Sequence, residues 1–327
     1  MEWEVRDGGA RIGDHDLKVA VTGATGFIGR HVVAELARRA LSPVLVVRPS
    51  ATLPAELGKH RVVRIDLVSA PQNVFELMGQ PDVLIHLAWS GLPNYRSLHH
   101  FEQELPMQYR FLQQMIGAGL ETLLVTGTCF EYGMQAGSLD EDIETRPTNP
   151  YGFAKDALRR QLIFLRQTRP FNLTWARLFY LYGDGQAPSA IYPQLQQAAM
   201  QGEAMFNMSG GEQLRDYLPV TEAAKHLVSL ATEAKNAGIV NVCSGVPTSV
   251  RSLVERWIDA NRWSIRMNLG HYPYPDHEPL AFWGDASKLK QYVGERSQGT
   301  SLTMTNFITK SSVLLRTPAP RAGLGSS

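Results

Sequence analysis

Three glycines in one short segment, Gly23, Gly26 and Gly29, constrain the fold of this 327-residue chain more than any other feature. They directly follow the strand candidate Lys18–Thr22 and open an amphipathic stretch that begins at Phe27. In this setting Gly23 permits a tight turn, Gly26 lets a pyrophosphate approach the backbone, and Gly29 allows close packing of helix on strand. The positive end of the helix then faces the phosphate charge. A structural turn is the alternative, but the place of the glycines between strand and helix favours a dinucleotide site.

Short apolar runs alternate with longer amphipathic stretches along the chain. This alternation predicts an α/β fold, a Rossmann-like doubly wound parallel sheet whose buried strands read as continuous apolar runs. The strand candidates are Lys18–Thr22, Pro43–Val47, Val62–Ile65, Val83–Leu87, Leu123–Thr126 and Leu173–Leu178. The helix candidates are Phe27–Arg39, Pro71–Met78, His99–Ala118 and Pro150–Gln167.

After Gly183 the segments become shorter and Pro and Gly interrupt them. We therefore expect an NAD(P)-binding domain over 17–183 and a smaller C-terminal α/β lobe, mainly substrate-binding, over 184–315, which covers the cleft at the carboxyl ends of the sheet. The start of the chain, 1–16, and the Pro/Gly/Ser-rich tail, 316–327, are predicted to be disordered.

Composition narrows the class of function. The formal net charge of +1 gives no electrostatic reason to expect nucleic acid or an anionic membrane as the main partner. No apolar run approaches the roughly 20 residues of a spanning helix, and 1–16 does not resemble a targeting segment. Only two cysteines occur, Cys129 and Cys243, which argues against a disulfide scaffold and fits a reducing cytoplasm. We expect a cytoplasmic protein that binds a small molecule and no metal.

One of the eleven tyrosines, Tyr151, has a lysine four residues later, Lys155. Asn149 is a good N-cap and Pro150 suits the first helical position, so both side chains should lie on one face of a helix start. An unperturbed phenol titrates near pH ~10, and the nearby ammonium and the helix dipole would favour its phenolate. The pair predicts a proton donor and acceptor with a lowered tyrosine pKa, although a surface Tyr and Lys would give the same spacing.

The second strand ends in Arg48-Pro49-Ser50, without a carboxylate. An acidic residue at this place pairs with the ribose 2′-hydroxyl of NAD, whereas an arginine accommodates the 2′-phosphate of NADP. Arg48 therefore favours NADP(H), with NAD(H) left possible.

The segment Thr22–Gly29 and the Tyr151-x-x-x-Lys155 pair together resemble the extended short-chain dehydrogenase/reductase family of nucleotide-sugar epimerases, dehydratases and ketoreductases. The resemblance runs from about Lys18 to about Tyr292. Further matches follow in the order of the family, and they are Asp66-Leu67, His86-Leu87-Ala88, the segment 126–133, the segment 177–183 and Arg215-Asp216-Tyr217. The resemblance implies cofactor contacts by Gly23, Thr25, Gly26, Phe27, Ile28, Gly29, Arg48, Asp66, Leu67, Leu87, Ala88, Tyr151, Lys155 and Leu178.

The family pattern also implies the catalytic groups. Thr128, four residues before Tyr132, takes the place of the third catalytic hydroxyl beside Tyr151 and Lys155. Tyr151 would protonate the oxygen on which negative charge grows during hydride transfer, and Thr128 would hydrogen-bond the same oxygen. Lys155 would hold the nicotinamide ribose and lower the pKa of Tyr151.

Departures from the family pattern restrict the reaction. Dehydratases in this family follow the threonine with Asp-Glu, whereas Cys129 and Phe130 stand here, so 4,6-dehydration is not expected. Cys129 is also displaced by one position from the cysteine of the enzymes that combine epimerisation with reduction, and Asp184 replaces their histidine. Cys129 is therefore interpreted as a small buried residue.

These departures leave an NAD(P)H-dependent 4-ketoreductase for a nucleotide-linked 4-keto-6-deoxyhexose, similar to the synthases of dTDP-, CDP- and GDP-6-deoxyhexoses for bacterial surface polysaccharides. A 4-epimerase with retained NAD and a catalytically silent NADP-binding regulator remain alternatives. Arg215 is the candidate for the substrate diphosphate, with an internal salt bridge as its alternative. Tyr180 replaces an asparagine that touches the diphosphate in many relatives.

Two further expectations concern the surface. The stretch Tyr272–Pro279 is expected to line or cover the sugar pocket, or to form a surface loop, and His277 and Glu278 within it receive no role. Relatives dimerise through a four-helix bundle, so a homodimer is expected. The apolar residues at helical spacing in the two helices concerned are Phe101, Leu105, Leu112, Met115, Phe153, Ala157, Leu158 and Leu162. Burial inside the monomer explains part of this pattern equally well.

Overall fold

A parallel sheet of seven strands forms the centre of the protein, and the computed structural model describes residues 17–234, 236–274 and 278–294. The strands are β1 (Val19–Thr22), β2 (Val44–Val47), β3 (Val62–Arg64), β4 (Val83–His86), β5 (Thr122–Thr128), β6 (Gly137–Leu139), β7 (Asn172–Leu178), β8 (Tyr180–Tyr182), β9 (Met205–Asn207), β10 (Leu214–Arg215), β11 (Tyr217–Pro219), β12 (Gly238–Val242), β13 (Thr248–Ser249), β14 (Arg266–Asn268) and β15 (Phe282–Gly284).

The helices surround this sheet. They are α1 (Phe27–Arg38), α2 (Val74–Leu77), α3 (Leu105–Gly117), α4 (Pro150–Thr168), α5 (Ile191–Met200), α6 (Val220–Thr232), α7 (Val250–Asn261) and α8 (Ser287–Val293). A π-helix, His100–Glu104, leads into α3, and short 3₁₀ turns occur at Ala55–Leu57, Leu67–Ser69 and Cys129–Tyr132.

The strand order in the main sheet is β12-β7-β5-β4-β1-β2-β3, and all its neighbours pair in parallel. Successive side chains of a strand point to opposite faces, so β1 contributes Val19 and Val21 to one core and Ala20 to the other. Helices α1, α6 and α8 cover the first face, and α2, α3 and α4 cover the second. Both faces of the sheet are therefore buried, as its apolar strands require.

Smaller elements follow β7. A third apolar cluster joins α5 and α7 through Leu195, Leu253 and Trp257. Strands β9 and β14 pair beside it, whereas β8 pairs with β11 and β10 pairs with β13. The late strand β12 returns to the main sheet and pairs with β7. The division into two lobes at Gly183 stays a prediction.

The predicted α/β fold is confirmed, and the six strand candidates agree with β1, β2, β3, β4, β5 and β7 to within two residues at each end. The predicted helix Pro71–Met78 is shorter than expected, because Pro71 begins a turn and Gly79 and Gln80 have positive φ values of 85° and 55°. The predicted helix His99–Ala118 is divided into the π-helix and α3. The segments 1–16 and 316–327 lie outside the described residues.

Within the ranges that the structure describes, no helix combines the length and the apolar character needed to cross a membrane.

Candidate active site

The glycine loop joins β1 to α1 by a turn that needs glycine. Gly23 has a φ of +70°, and a side chain there would meet the backbone of Leu87 and Ala88 at 2.9 Å. A side chain at Gly29 would overlap the carbonyl group of Gly23. Gly26 is the N-cap of α1 and its amide donates to the Gly23 carbonyl at 3.0 Å. The helix start therefore lies as close to β1 as backbone contact allows.

This loop fits the pyrophosphate of a dinucleotide. The N-cap Gly26 offers no side chain to satisfy the first amides of α1, and no acidic residue occurs in the first turn. Free amides and the positive end of the helix dipole attract phosphate. Thr25, Phe27 and Ile28 are each partly exposed around this turn.

The other predicted cofactor residues lie at the carboxyl ends of neighbouring strands. Arg48 directly follows β2 and is exposed, whereas Leu178 ends β7 and is partly buried. Leu87 and Ala88 follow β4, and their amides approach the Thr22 hydroxyl at 3.2 and 3.4 Å. After β3 comes the Asp66-Leu67 pair, in which the Asp66 carboxylate accepts from the amide of Val68 at 3.0 Å. These positions share one edge of the sheet, where doubly wound folds bind ligands.

The three predicted catalytic residues come together at that edge. The Asn149 side chain caps α4 by accepting from the amide of Gly152 at 2.8 Å, which places Tyr151 in the first turn. The Tyr151 phenol lies beside the Thr128 side chain at the end of β5. Lys155 lies one turn further along, and its Nζ is 6.0 Å from the centroid of the Tyr151 ring.

The expectation of a lowered tyrosine pKa is wrong for this structure. Burial of Tyr151 raises the pKa of its phenol, and the charges of Glu131 and neighbouring groups add to this rise, whereas the polar Thr128 side chain opposes it. The ring is only 8% exposed. Desolvation of the phenolate thus outweighs the helix start and the lysine. Tyr151 is accordingly a protonated phenol at neutral pH.

Lys155 is a deeply buried cation. Its Nζ donates to the carbonyl of Thr126 at 2.8 Å and lies 3.9 Å from the ring centroid of Trp89. Burial lowers the pKa of the Lys155 ammonium to about 7, although the charges of Glu131 and Glu104 oppose the change. In the part of the chain that the structure describes, neither carboxylate forms a salt bridge with Lys155 Nζ.

Aromatic side chains that we did not predict surround Tyr151. The rings of Trp89, Tyr95, His100 and Phe130 lie with centroids 5.2 to 6.3 Å from the Tyr151 ring. Their enclosure excludes water from the phenol, which is the physical cause of its raised pKa.

A buried polar chain runs behind these rings. The Thr22 hydroxyl meets His86 Nδ1 at 2.9 Å, and His86 Nε2 meets the side-chain oxygen of Gln108 at 2.7 Å. Gln108 in turn donates to Glu104 at 2.9 Å. Ser90 donates to the same Glu104 carboxylate and also contacts His99 Nε2 at 2.9 Å.

Part of this buried polar network could have been found from the spacing of polar residues in the sequence. His100, Glu104 and Gln108 recur every four residues on a helix that otherwise buries apolar groups. Such a polar stripe inside a core needs partners, and the partners lie on β4 and the segment that follows it.

The backbone of Thr128 is held by a buried carboxylate. Glu131 accepts from the Thr128 amide at 2.9 Å, from Trp175 Nε1 at 2.9 Å and from Arg177 Nε at 2.8 Å. The Glu131 and Arg177 side chains are 0% and 1% exposed. These three donors fix the Glu131 carboxylate and with it the end of β5, whereas Arg177 Nη1 has no hydrogen-bond partner among the described residues.

Cys129 and Phe130 complete the turn after Thr128. Cys129 is 5% exposed, and burial raises the pKa of its thiol. Its interpretation as a small buried residue is confirmed. Phe130 packs on Tyr95 with a centroid distance of 4.9 Å, which places an apolar ring beside Tyr151.

Arg215 lies in a different environment from the one we proposed. It is 3% exposed, pairs with Glu278 at 2.9 Å and donates to the carbonyls of Leu214 and Leu280. An internal salt bridge was the alternative interpretation, and the partner in that salt bridge is Glu278. Asp216 instead accepts from two amides, those of Ser244 and Gly245.

Tyr180 lies beside this pair. Its ring is 6.0 Å from the Arg215 guanidinium and 5.3 Å from the ring of Tyr217. Burial raises the pKa of the Tyr180 phenol well above its ordinary value, and the charge of Glu278 adds to the rise. Of the stretch Tyr272–Pro279, residues 275–277 and hence His277 lie outside the described ranges.

A cavity of about 510 Å³ adjoins the start of α4. It is lined by the segment 93–96, by Met134 and by the segment 148–150. The carbonyl of Tyr95 in the first segment accepts from the amide of Tyr151 at 3.2 Å. The cavity therefore borders the same helix turn that carries the phenol.

Comparison with known proteins agrees with this geometry. Residues 19–243 match the NAD dependent epimerase/dehydratase family. The chain belongs to this family. The resemblance to extended short-chain dehydrogenases/reductases is thereby confirmed, and the family consists of NAD(P)-dependent nucleotide-sugar enzymes such as 4-dehydrogenases and epimerases.

Individual relatives span most of the chain. A dTDP-6-deoxy-L-talose 4-dehydrogenase (NAD(+)) of Aggregatibacter actinomycetemcomitans is 29% identical over 270 residues, which cover 82% of this chain and 99% of the relative. A dTDP-6-deoxy-L-talose 4-dehydrogenase (NAD(P)(+)) of Kitasatospora kifunensis is 25% identical and covers 79% and 83% of the two chains. Among solved structures, MoeE5 in complex with UDP-glucuronic acid and NAD has a TM-score of 0.72 at 27% identity, covering 84% of this chain and 92% of that one.

Proposed function

We propose that the protein reduces the C4 keto group of a nucleotide-linked 4-keto-6-deoxyhexose with NAD(P)H. The observation that carries this proposal is the location of Tyr151 beside Thr128 and Lys155, with the apolar Phe130 as their neighbour. Water elimination needs an additional acid and base, which Phe130 cannot supply. The 29% identical 4-dehydrogenase acts, by its name, at the same carbon.

The chain's own groups manage the proton. When bound, the cofactor supplies a hydride to the carbonyl carbon. Thr128 orients the substrate oxygen by a hydrogen bond, and Tyr151 gives that oxygen its proton as charge develops. A phenol with a raised pKa is in the donor form at neutral pH, which suits reduction. Lys155, held by the Thr126 carbonyl, is positioned to contact the ribose of the nicotinamide.

Gly23, Gly26 and Gly29 would hold the pyrophosphate, and Arg48 would select the dinucleotide. Arg48 is exposed at the end of β2, the place where a guanidinium meets a ribose 2′-phosphate. NADP(H) is therefore the proposed cofactor. The relative named for NAD(+) and the one named for NAD(P)(+) keep NAD(H) within the proposal.

The substrate diphosphate is assigned to Arg215, with Tyr180 beside it. Arg215 is paired with Glu278, so binding would require the guanidinium to exchange that carboxylate for phosphate oxygens. Arginine suits this exchange because its planar donors match either anion in the same bidentate geometry.

The test is a screen for NADPH consumption over dTDP-, GDP- and CDP-linked 4-keto-6-deoxyhexoses, followed by NMR of the product. We expect stoichiometric loss of absorbance and a new C4 hydroxyl with one of these substrates. Conversion of a 4-hydroxy sugar nucleotide to its C4 epimer without net NADPH loss would replace the proposal by a 4-epimerase. Binding of NADP(H) without turnover on any substrate would favour the regulator.

We also infer a cytoplasmic homodimer. Cys129 and Cys243 are free and buried thiols, as a reducing compartment allows. Phe101 and Phe153 form an edge-on ring pair 6.0 Å apart on the surface shared by the π-helix and α4. Phe153 is 51% exposed and Phe164, further along α4, is 66% exposed.

The remaining helix residues that we expected at the dimer interface divide into two sets, and the first, Leu105 and Ala157, is partly exposed. Leu112, Met115, Leu158 and Leu162 lie in the core of the monomer, so they cannot contribute to the interface. Light scattering should give twice the chain mass, and Phe153→Glu should give the monomer. A wild-type monomer at micromolar concentration would contradict the inference.

A further inference from the structure

Trp89 makes a contact with Lys155 for which neither the family pattern nor the proposed reaction provides a role. The Lys155 ammonium lies 3.9 Å from the Trp89 ring centroid, well inside the range of a cation–π interaction. Lys155 is 2% exposed, so the contact is desolvated and correspondingly strong. The same indole meets the Tyr151 ring edge-on at 6.0 Å.

The indole is itself fixed. Trp89 Nε1 donates to His100 Nδ1 at 3.1 Å, and His100 Nε2 meets the carbonyl of Asn94 at 2.9 Å. A ring nitrogen that accepts carries no proton, so the contacts assign His100 as the neutral ring with its hydrogen on Nε2. His100 is 0% exposed, and burial lowers the pKa of its ring, which keeps the acceptor available at neutral pH.

The other charged or titratable groups around Lys155 come from four elements. Glu131 follows β5 and Glu104 ends the π-helix, and both favour the ammonium from a distance. His86 on β4 is fully buried, and desolvation lowers the pKa of its ring to about 4, so it is neutral. His100 is the neutral neighbour in the π-helix, and Tyr151 on α4 is a neutral phenol.

We propose that Trp89 is a positioning residue for the catalytic centre, in which its ring face keeps the buried Lys155 charged and aimed along the cofactor edge of the sheet. His100 sets the plane of the indole through the N–H contact. The aromatic face does what a carboxylate would do for a buried ammonium, but it leaves the remaining N–H donors of Lys155 unclaimed by an anion.

The inference rests on the proposed role of Lys155, but its main test does not need turnover. The full chain has eight lysines, so labelling with ε-¹³C-lysine gives a small set of NMR signals. Lys155→Met identifies the Lys155 signal by its loss. The pH midpoint of that signal is then measured without and with NADP(H), in the wild type and in three variants.

The variants separate the ring face from the N–H tether. Trp89→Leu removes both, Trp89→Phe keeps a ring face and loses the contact to His100, and Trp263→Leu is a matched control in the cluster around α7. We expect Trp89→Leu to lower the Lys155 midpoint by about one pH unit and Trp89→Phe by less than half of that. Trp263→Leu should leave the midpoint unchanged.

Equal midpoints in the wild type and in Trp89→Leu, with melting curves that show a folded variant, would overturn the proposal. A lowered midpoint in a protein that reduces no 4-keto sugar would support the positioning role and refute the proposed function instead. In an active enzyme the alkaline limb of the kcat profile should move to lower pH in Trp89→Leu by the same interval. A purely structural role would lower kcat without moving that limb.

Discussion

Two buried cations, Lys155 at the catalytic helix and Arg215 near the end of β10, are almost equally hidden from solvent but differently held. Lys155 is 2% exposed and contacts a backbone carbonyl and an indole face, whereas Arg215 is 3% exposed and is paired with Glu278. Burial lowers the pKa of Lys155 to about 7. The two cations thus differ in their partners, and a carboxylate offsets more of the desolvation of a buried cation than a neutral ring does.

The partner of a buried cation decides how readily that cation can bind a ligand. The Lys155 side chain keeps donors that can turn to a ligand without breaking an ion pair. Arg215 must first leave Glu278, so any ligand that it binds competes with an internal anion. In the proposed function Lys155 is therefore preorganised for its ligand, whereas Arg215 would have to exchange Glu278 for the substrate diphosphate.

The largest expected effect lies at the phenol next to Lys155. Tyr151→Phe removes the proton donor but keeps the ring that packs on His100 and Trp89. We expect kcat to fall by about 10² to 10⁴, with the NADPH dissociation constant changed by no more than about twofold. Steady-state kinetics and fluorescence titration measure the two quantities. Retained turnover would remove Tyr151 from the mechanism.

Lys155→Met tests how much the buried ammonium, which has no salt-bridge partner among the described residues, lowers the free energy of unfolding. The folded pKa near 7 lies below that of unfolded lysine, about 10.4, so the unfolded chain binds more protons between these pH values. Wild-type stability should therefore rise with pH in this window as the buried lysine loses its charge. The stability advantage of Lys155→Met over the wild type should shrink by about 2 kcal/mol between pH 7 and 9. Denaturant unfolding at both pH values measures it, and a constant difference would contradict a depressed lysine pKa.

Arg215→Met and Glu278→Gln each remove one member of the Arg215–Glu278 ion pair, and they should change substrate binding in opposite directions. Arg215→Met removes one partner of the Glu278 carboxylate together with the proposed diphosphate contact, so the KM for the sugar nucleotide should rise about 10- to 100-fold. Glu278→Gln releases Arg215 from its internal anion, so the KM should stay equal or fall. If Arg215→Met lowered stability without changing the KM, Arg215 would be a structural cation alone.

The smallest effect is expected at an exposed cation. Arg48→Asp should lower the ratio of kcat/KM for NADPH over NADH by about tenfold, a modest value because the site is open to solvent. A substitution of Arg64 offers a matched control nearby, because the Arg64 guanidinium donates hydrogen bonds to the carbonyls of Pro49 and Ala51 and should not select the cofactor. An unchanged ratio in Arg48→Asp would show that Arg48 does not select the cofactor.

The fold and the common location of Tyr151 and Lys155 could be predicted because their signals are local. The glycines of the loop, the cap at Asn149 and the four-residue spacing of Tyr151 and Lys155 each act within one turn of chain. The buried apolar strands likewise carry their own pattern, and their bounds were predicted to within two residues.

The environment of the site could not be predicted in the same way. The sign of the Tyr151 pKa shift depends on rings from three separate segments, and the partner of Arg215 lies 63 residues away in Glu278. The sequence gives Trp89 no predicted role beyond its place after His86-Leu87-Ala88. Its contact with His100 depends on how the π-helix packs beside the segment that follows β4. These properties arise from tertiary packing, which spacing along the chain does not encode.

Transfer of deuterium from labelled NADPH to C4 of the sugar is the direct test of the proposed reduction. The wild-type protein is incubated with a nucleotide-linked 4-keto-6-deoxyhexose and NADPH that carries deuterium at the transferred position, and the product is examined by NMR. The account predicts one deuterium at C4 of the sugar for each NADPH consumed. Unchanged 4-keto sugar and undiminished NADPH, in a folded protein that binds NADPH, would contradict it.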